Sequence, residues 1–182
     1  MNIIQNNKLI GFAAYSGTGK TTLIKEVVSI LKKLDYKISV IKHAHHDFDV
    51  DKPGKDSYEI RKSGADNMLI SSANRWALMH DNNGSNELSL RDLIKKLEFS
   101  TESDVILVEG FKAEKFPKIE LYRKKISKDR ELLSISDNSI VAIATDDTSN
   151  INSNLPVLDI NKPHDIAAFL LKYLKISKKS VT

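Results

Sequence analysis

Apolar positions along the chain follow two periods, and each change of period marks a predicted element. The segment "KLIGFAAY", Lys8 to Tyr15, is a short apolar run that ends at a glycine-rich turn, and it predicts a buried strand. From Lys20 the period becomes helical, with an apolar face of Leu23, Ile24, Val27, Val28, Leu31 and Leu34. A second strand, "KISVIKHA", follows. Strand, loop, helix and strand in this order predict a βαβ unit with parallel strands.

The rest of the chain continues to alternate between strands and helices. The predicted strands are "NMLISS", "RWALMHD", "SDVILVEGF", "SIVAIATDD" and "LPVLDI", and the predicted helices are "DSYEIRKSG", "SLRDLIKKLEF" and "PHDIAAFLLKYLK". The segment "KIELYRK" alternates between apolar and polar residues, so we expect it to form an edge strand. The pattern as a whole predicts an α/β fold with a mostly parallel central sheet flanked by helices.

Composition narrows the class of protein. With 182 residues, 41% of them hydrophobic and 29% charged, we expect one domain over residues 1–176 and a short basic tail over 177–182. The absence of cysteine excludes disulfides and thiolate metal sites, and it fits a reducing cytoplasm. No apolar run approaches the roughly 20 residues that span a bilayer, so we expect a cytoplasmic protein without a membrane partner. The net charge of +4 is spread over helix faces without a nucleic-acid-binding signature, so no nucleic-acid partner is expected.

The segment "AAYSGTGKTT", Ala13 to Thr22, connects the first strand to the first helix and nearly fits the Walker A pattern, with Ala14 in place of its first glycine. Backbone N–H groups in such a loop can surround an anion at the positive end of the helix. We expect Lys20 to reach the β- and γ-phosphates and the Thr21 hydroxyl to ligate Mg²⁺. The predicted nucleotide-binding residues of this loop are Ser16, Gly17, Thr18, Gly19, Lys20, Thr21 and Thr22.

A phosphate loop that holds a metal ion also needs an acidic residue at the end of a neighbouring strand. The segment "VILVEG" provides Glu109, and Gly110 lets the chain turn away after it. Asp104 stands at the opposite end of the same strand, about 16 Å away at the rise of a β-strand, and is not expected to take part. Thr21 and Glu109 are therefore the predicted metal ligands.

Base recognition is expected from a loop after a later strand. In "IATDD", Thr145 and Asp146 occupy such a strand end. A carboxylate there can accept hydrogen bonds from guanine N1 and from the exocyclic amine, which adenine cannot donate in the same way. Spacing alone allows equally that Asp146 caps a turn or a helix.

The polar segment "HHDFDVDKPGKDS" is broken by Pro53 and Gly54 and predicts a long loop. We expect it to flank the γ-phosphate, with Asp47 or Asp49 near metal or water. Those two aspartates join Lys20 and Glu109 as the predicted catalytic residues. A metal cluster of His43, His45 and His46 is the alternative for this region.

The sequence resembles the MobB family of molybdopterin-guanine dinucleotide biosynthesis adapter proteins. The segments that carry the resemblance are "GFAAYSGTGKTTL", "VIKHAHHDFDVDKPGKDSYEIRKSGA", "SSANRWALMHD", "VILVEGFK" and "AIATD", which together extend from about Gly11 to Asp146. The resemblance implies a three-layer P-loop NTPase fold of the SIMIBI class, usually a homodimer. It also implies a GTP-binding accessory protein with weak Mg²⁺-dependent hydrolysis that acts mainly as an adapter.

The implied partner is a MobA-type molybdenum-cofactor guanylyltransferase, which attaches GMP to molybdopterin, and molybdopterin or its guanine dinucleotide is a further candidate ligand. Two other functions remain open at this stage. A P-loop small-molecule kinase would use "YRKKISKDRE", Tyr122 to Glu131, as an arginine-rich lid. A metallochaperone GTPase would use His43, His45 and His46.

Overall fold

A computed structural model of the protein describes residues 6–44, 48–82, 87–127 and 130–177. These ranges contain eight strands and five α-helices. The strands are β1 (Leu9–Ala14), β2 (Ile38–Lys42), β3 (Asn67–Ser71), β4 (Trp76–His80), β5 (Val105–Glu109), β6 (Lys118–Tyr122), β7 (Ile140–Thr145) and β8 (Val157–Asp159). The helices are α1 (Lys20–Lys33), α2 (Asp56–Lys62), α3 (Leu90–Ser100), α4 (Lys124–Ser127) and α5 (Pro163–Tyr173). Short 3₁₀ helices cover Leu133–Ile135 and Thr148–Asn150. None of the helices in these ranges is long and apolar enough to cross a membrane.

The chain divides into two compact units. The first comprises Met1–His43 and Leu90–Thr182, and the second comprises Ala44–Ser89. In the first unit six strands form one sheet in the order β2-β5-β1-β6-β7-β8, and every neighbouring pair is parallel. The prediction of a mostly parallel central sheet is confirmed. The prediction of a single domain over 1–176 with a basic tail stays a prediction, and residues 178–182 lie outside the described ranges.

Apolar side chains cover both faces of this sheet, because side chains alternate between the two faces of every strand. On one face, α1 and α5 pack through residues such as Val27 and Leu170 against β1 and β7. On the other face, Leu90 and Ile94 of α3 pack against Ile106 and Val108 of β5. Helices on both sides of one parallel sheet give the three-layer α/β architecture that the sequence predicts.

The expectation that "KIELYRK" forms an edge strand is wrong. Strand β6 lies inside the sheet, between β1 and β7. Its polar residues are buried and paired: Lys118 Nζ donates to the Glu114 carbonyl at 2.7 Å and to Asp137 Oδ2 at 3.0 Å. The Glu120 carboxylate accepts the backbone N–H groups of Leu133 and Ser134 at 2.6 and 2.9 Å. Alternating polarity normally marks a strand with one solvent face, but here these hydrogen bonds compensate for the burial of the charges.

The second unit consists of α2 and an antiparallel hairpin of β3 and β4. In the hairpin Leu69 lies opposite Leu78, and Ser71 lies opposite Trp76. The Arg61 guanidinium of α2 is buried and forms ion pairs with Asp49, Asp51 and Asp81. Its hydrogen bond with Asp51 is the main reason that the pKa of Arg61 lies above its usual range. This ion-pair cluster holds the described part of the polar loop against α2.

Candidate functional site

The turn between β1 and α1 has the backbone conformation that its glycines allow. Gly17 and Gly19 have φ angles of +82° and +92°, in the left-handed region that disfavours residues with a Cβ atom. Gly19 is the N-cap of α1, and the first turn of the helix carries no acidic residue. Thr18 is buried, and its hydroxyl donates to the Tyr15 carbonyl at 2.8 Å. The first backbone N–H groups of α1 lie at the positive end of the helix, where an anion is favoured.

The two predicted metal ligands meet at this turn. Thr21 Oγ1 donates a hydrogen bond to Glu109 Oε1 at 3.0 Å. Glu109 ends β5 and pairs with Phe12 on β1, because the parallel register brings the carboxyl ends of both strands to the same edge of the sheet. Gly110 follows with a φ of +103°, and a Cβ atom there would lie 2.5 Å from the His43 Cβ atom. Glycine at this position therefore lets the chain leave the sheet directly after the carboxylate.

Positively charged lysine side chains lie near this carboxylate. Lys42 Nζ lies 3.7 Å from Glu109 Oε2. Burial, the largest influence, lowers the pKa of the Lys20 ammonium group; Glu109 opposes this effect, and the charges of Lys112 and Lys42 lower the pKa further. Lys42 and Lys20 therefore both interact with Glu109, and Lys112 adds a further positive charge that acts on Lys20. This arrangement suits a ligand that brings several negative charges, such as a polyphosphate.

The predicted base-reading residues lie close to the same turn. Thr145 is fully buried, and its Oγ1 accepts the backbone N–H of Asp147 at 3.2 Å. Asp146 Oδ2 lies 3.4 Å from Arg123, whose Nε also donates to the Thr18 carbonyl at 3.3 Å. Asp147, rather than Asp146, precedes the 3₁₀ helix of Thr148–Asn150 as its N-cap. The Asp146 carboxylate is thus directed toward Arg123, which also contacts the predicted phosphate loop.

A cavity of about 330 Å³ opens beside the loop. Gly19, Thr22 and Leu23 line it from the start of α1, and Ile160 and Asn161 line it from the segment after β8. Arg123 contributes to its wall, and its third contact is a hydrogen bond from Nη2 to Asn161 Oδ1 at 3.2 Å. The cavity therefore adjoins both the predicted phosphate loop and the arginine that binds Asp146.

The remaining predicted site residues belong to the polar loop. Asp49 lies in the second unit, where its carboxylate pairs with Arg61. Asp47, His45 and His46 lie outside the described residues. His43, at the end of β2, stacks on Phe111 with a ring-centroid distance of 4.7 Å. Within the described ranges, no group of three or more His, Asp and Glu residues is arranged to hold a metal ion.

Part of the segment Tyr122–Glu131, the lid of the kinase alternative, contacts Tyr15, which directly precedes the predicted phosphate loop. The Tyr15 hydroxyl donates to the Glu131 carbonyl at 3.0 Å, and the Arg130 guanidinium lies 4.9 Å from the centre of the Tyr15 ring. Residues 128 and 129 of this segment lie outside the described ranges. These contacts attach the segment to the residue that precedes the loop.

Sequence reasoning missed Lys42, Lys112 and Asn161, and it considered Arg123 only within the lid of the kinase alternative. Lys42 and Arg123 each stand at or directly after the carboxyl end of a strand, and that position is the signal that could have identified them. Lys42 is the Cα partner of Glu109 in the β2–β5 register. The position of Lys112 depends on the path of the chain after Gly110, and the sequence carries no local signal for that path.

Comparison with known proteins gives a consistent assignment. The model of the family described as "Molybdopterin guanine dinucleotide synthesis protein B" (MobB) matches residues 9–146. The chain is 44% identical over 167 residues to the molybdopterin-guanine dinucleotide biosynthesis adapter protein of Escherichia coli K12, covering 92% of this chain and 93% of that protein. It is 38% identical over 174 residues to the protein of the same name from Haemophilus influenzae, covering 94% of this chain and 93% of that protein. A crystal structure of Bacillus subtilis MobB matches the fold with a TM-score of 0.71 at 23% identity, covering 93% of this chain and 99% of that one.

Proposed function

The chain belongs to the MobB family of molybdopterin-guanine dinucleotide biosynthesis adapter proteins, and we propose that it acts in the cytoplasm as a GTP-binding adapter with weak Mg²⁺-dependent GTPase activity. In this role it would assist a MobA-type guanylyltransferase in the attachment of GMP to molybdopterin. Molybdopterin or its guanine dinucleotide is a further proposed ligand. The observation that carries the nucleotide part of the proposal is the arrangement of Lys20, Thr21 and Glu109 at the end of the sheet.

The phosphates of GTP are proposed to bind the loop Ser16–Thr22. Gly17 and Gly19 leave room for close approach of a phosphate to the backbone, since neither carries a Cβ atom. Lys20 is half-buried beside the loop, and its ammonium group would contact the β- and γ-phosphates. Lys42, whose Nζ lies 3.7 Å from Glu109 Oε2, and Lys112, whose charge lowers the pKa of Lys20, add positive charge near the loop, which favours a ligand with several negative charges.

The donor set also fits Mg²⁺. A hydroxyl and a carboxylate oxygen are ligand types that this hard cation prefers, and Thr21 and Glu109 bring one of each within 3.0 Å of each other. When bound, the ion would supply positive charge to the phosphate oxygens. The chain's own part is to hold Thr21 at the start of α1 and Glu109 at the end of β5, so that both oxygens face the same point. Asp47 and Asp49 remain proposed groups near metal or water.

We propose a homodimer because the hairpin of β3 and β4 has an exposed apolar face. Leu69, Trp76 and Leu78 are each more than half exposed, at 60%, 55% and 56%. Their pairing across β3 and β4 places them on one face, because Leu69 opposes Leu78 and Ser71 opposes Trp76. A two-stranded hairpin is marginally stable alone, and an apolar face of this kind is costly in water. A second copy related by a twofold axis would cover it with the identical face.

Nucleotide binding is tested with the variant Lys20→Ala. Isothermal titration with a non-hydrolysable GTP analogue and Mg²⁺ should show a loss of affinity of roughly 10- to 100-fold, as expected for removal of hydrogen bonds to a charged group. The matched control is Lys25→Ala, which removes an exposed lysine from the same helix and should bind as the parent does. Equal affinities for the parent and Lys20→Ala would overturn the phosphate-loop assignment.

The adapter role needs a separate test. Formation of molybdopterin-guanine dinucleotide by a purified guanylyltransferase should increase when the parent protein and GTP are added together. The Lys20→Ala protein should not produce that increase. Phosphorylation of a small-molecule acceptor by the parent protein, without effect on the guanylyltransferase, would instead support the kinase alternative.

A further inference from the structure

Arg123 connects three parts of the first unit through one guanidinium group. Its Nε donates to the Thr18 carbonyl of the phosphate loop at 3.3 Å, its Nη1 lies 3.4 Å from Asp146 Oδ2, and its Nη2 donates to Asn161 Oδ1 at 3.2 Å. Asp146 follows β7 and Asn161 follows β8, which are neighbours in the sheet. The single arginine thus contacts an aspartate and an asparagine at once, and Arg123 and Asn161 both line the cavity beside the loop.

The contact with Arg123 decides which end of the Asn161 amide faces outward. A guanidinium group has only N–H donors, so the amide must turn its carbonyl oxygen toward Arg123. Its Nδ2 group, which carries two N–H donors, is then the end left for a ligand. The carboxylate of Asp146 offers acceptor oxygens. The pair therefore presents a donor beside an acceptor.

This pattern matches the hydrogen-bonding edge of guanine. Guanine has an acceptor at O6 followed by donors at N1–H and N2–H₂, whereas adenine has a donor at N6 followed by an acceptor at N1. Nδ2 of Asn161 can donate to O6 while the Asp146 carboxylate accepts from N1–H and N2–H₂. Adenine would place a donor against Nδ2 and an acceptor against the carboxylate, and both groups would lose their partners.

We propose that Asn161 is a specificity-determining residue that reads guanine O6 from the cavity beside the phosphate loop, and that Arg123 is the positioning residue that orients it together with Asp146. The inference rests on the proposed GTP binding and extends it by a second base contact. The rest of the cavity wall comes from Ile160 and from the start of α1, with Gly19, Thr22, Leu23 and Glu26, which brings the base side of the site next to the phosphate side. A nucleoside diphosphate or triphosphate is the class of ligand that needs both a base-binding side and a phosphate-binding side.

The test measures Mg²⁺-dependent binding of GDP, IDP and ADP to the full chain by titration calorimetry. Inosine keeps O6 and N1–H of guanine but lacks the exocyclic amine. Asn161→Ala should weaken GDP and IDP by the same factor, roughly tenfold as for one hydrogen bond, and should leave ADP unchanged. Asn161 is exposed, so the variant should keep the parent melting temperature. Asn152→Ala, an exposed asparagine in the same unit, is the matched control and should bind all three nucleotides as the parent does.

Arg123→Met tests the positioning role. It should lower the ratio of GDP affinity to ADP affinity, and Arg123→Lys should restore that ratio only in part because an ammonium group cannot hold three partners in one plane. An equal loss for GDP, IDP and ADP would show that Arg123 supports the phosphate loop only, which contradicts the proposal.

The outcomes separate this inference from the function on which it rests. A parent protein that binds none of the three nucleotides overturns the proposed function. A parent that binds GDP and ADP equally, or an Asn161→Ala variant that binds GDP and IDP as the parent does, overturns the inference alone. An Asn161→Ala variant that weakens all three equally also overturns it.

Discussion

Thr21 Oγ1, in the first turn of α1, donates a 3.0 Å hydrogen bond to Glu109 Oε1 at the end of β5. The two residues are 88 positions apart in the chain, and the parallel pairing of β1 with β5 brings them together. Lys42 approaches the second oxygen of the same carboxylate. Both Glu109 oxygens are therefore oriented by neighbouring side chains, which is the support that a metal ligand requires.

Glu109→Gln should preserve nucleotide binding and lower Mg²⁺-dependent GTP hydrolysis by about tenfold or more, because it removes the charge that holds the metal and keeps the shape of the side chain. Phosphate release from GTP, measured with and without Mg²⁺, provides the comparison. Glu102→Gln, at an exposed position before β5, is the matched control. Hydrolysis at the parent rate would make Glu109 a structural residue and would shift the proposed metal ligand to Asp47 or Asp49.

Thr21→Ala should remove most of the Mg²⁺ dependence of nucleotide binding, since the variant lacks the hydroxyl that is proposed to ligate the ion. Affinity for a non-hydrolysable GTP analogue is measured in Mg²⁺ and in EDTA. Thr21→Ser keeps the hydroxyl and should restore the dependence. A Thr21→Ala protein that still binds much more tightly in Mg²⁺ than in EDTA would contradict the assignment.

The sequence predicts local features of this protein well because they depend on neighbours in the chain. The period of apolar residues locates β1 and α1, and the glycines at 17 and 19 identify the loop between them. Glu109 is predictable as the last residue of a nearly continuous apolar strand. All three inferences use one strand or one turn at a time.

Features that depend on the order of strands in the sheet are harder to predict from the sequence. The polar residues of β6 suggest an edge strand, and only the fold shows that Lys118 finds Asp137 and that Glu120 finds the backbone at Leu133. Arg123 becomes part of the candidate site only because β6 lies between β1 and β7. Its partners Thr18 and Asn161 are 105 and 38 residues away in the chain, so no local pattern reports them.

Asp137→Asn should reduce the free energy of unfolding by about 1–3 kcal/mol at neutral pH, the range for hydrogen bonds to a charged group. Burial alone would raise the pKa of Asp137, but hydrogen bonds from Ser139, Lys115 and Lys118 outweigh it and hold the pKa below its usual range. The stability that the ionised carboxylate contributes is therefore complete well above the ordinary value of 3.8 and is lost as the pH falls below it.

Urea unfolding at a series of pH values from about 7 to 3 checks this prediction. The difference in unfolding free energy between the parent and Asp137→Asn should shrink toward the acidic end. Asp92→Asn, which affects an exposed pair with Lys95, is the control and should change stability little at any pH. A difference that stays constant with pH would show that the charge of Asp137 does not contribute.

Leu78→Glu should convert the proposed homodimer to a monomer. Leu78 and its partner Leu69 form the middle pair of the five that join β3 and β4, on the face that Trp76 shares. A twofold axis at this face would bring two glutamates close together in an apolar interface, where burial of like charges is strongly unfavourable. Because Leu78 is exposed within a single chain, the substitution should leave the fold of the monomer intact.

Sedimentation equilibrium over a range of protein concentrations gives the oligomeric state directly. The matched control is Ile135→Glu, which places the same charge at an exposed apolar position of the first unit, 67% accessible, and should remain dimeric. Circular dichroism of both variants verifies that they are folded. A parent protein that is monomeric at all concentrations would contradict the dimer itself. A Leu78→Glu protein that stays dimeric would show that the two copies meet through another surface, since two buried carboxylates without partners would not be tolerated at the centre of the hairpin face.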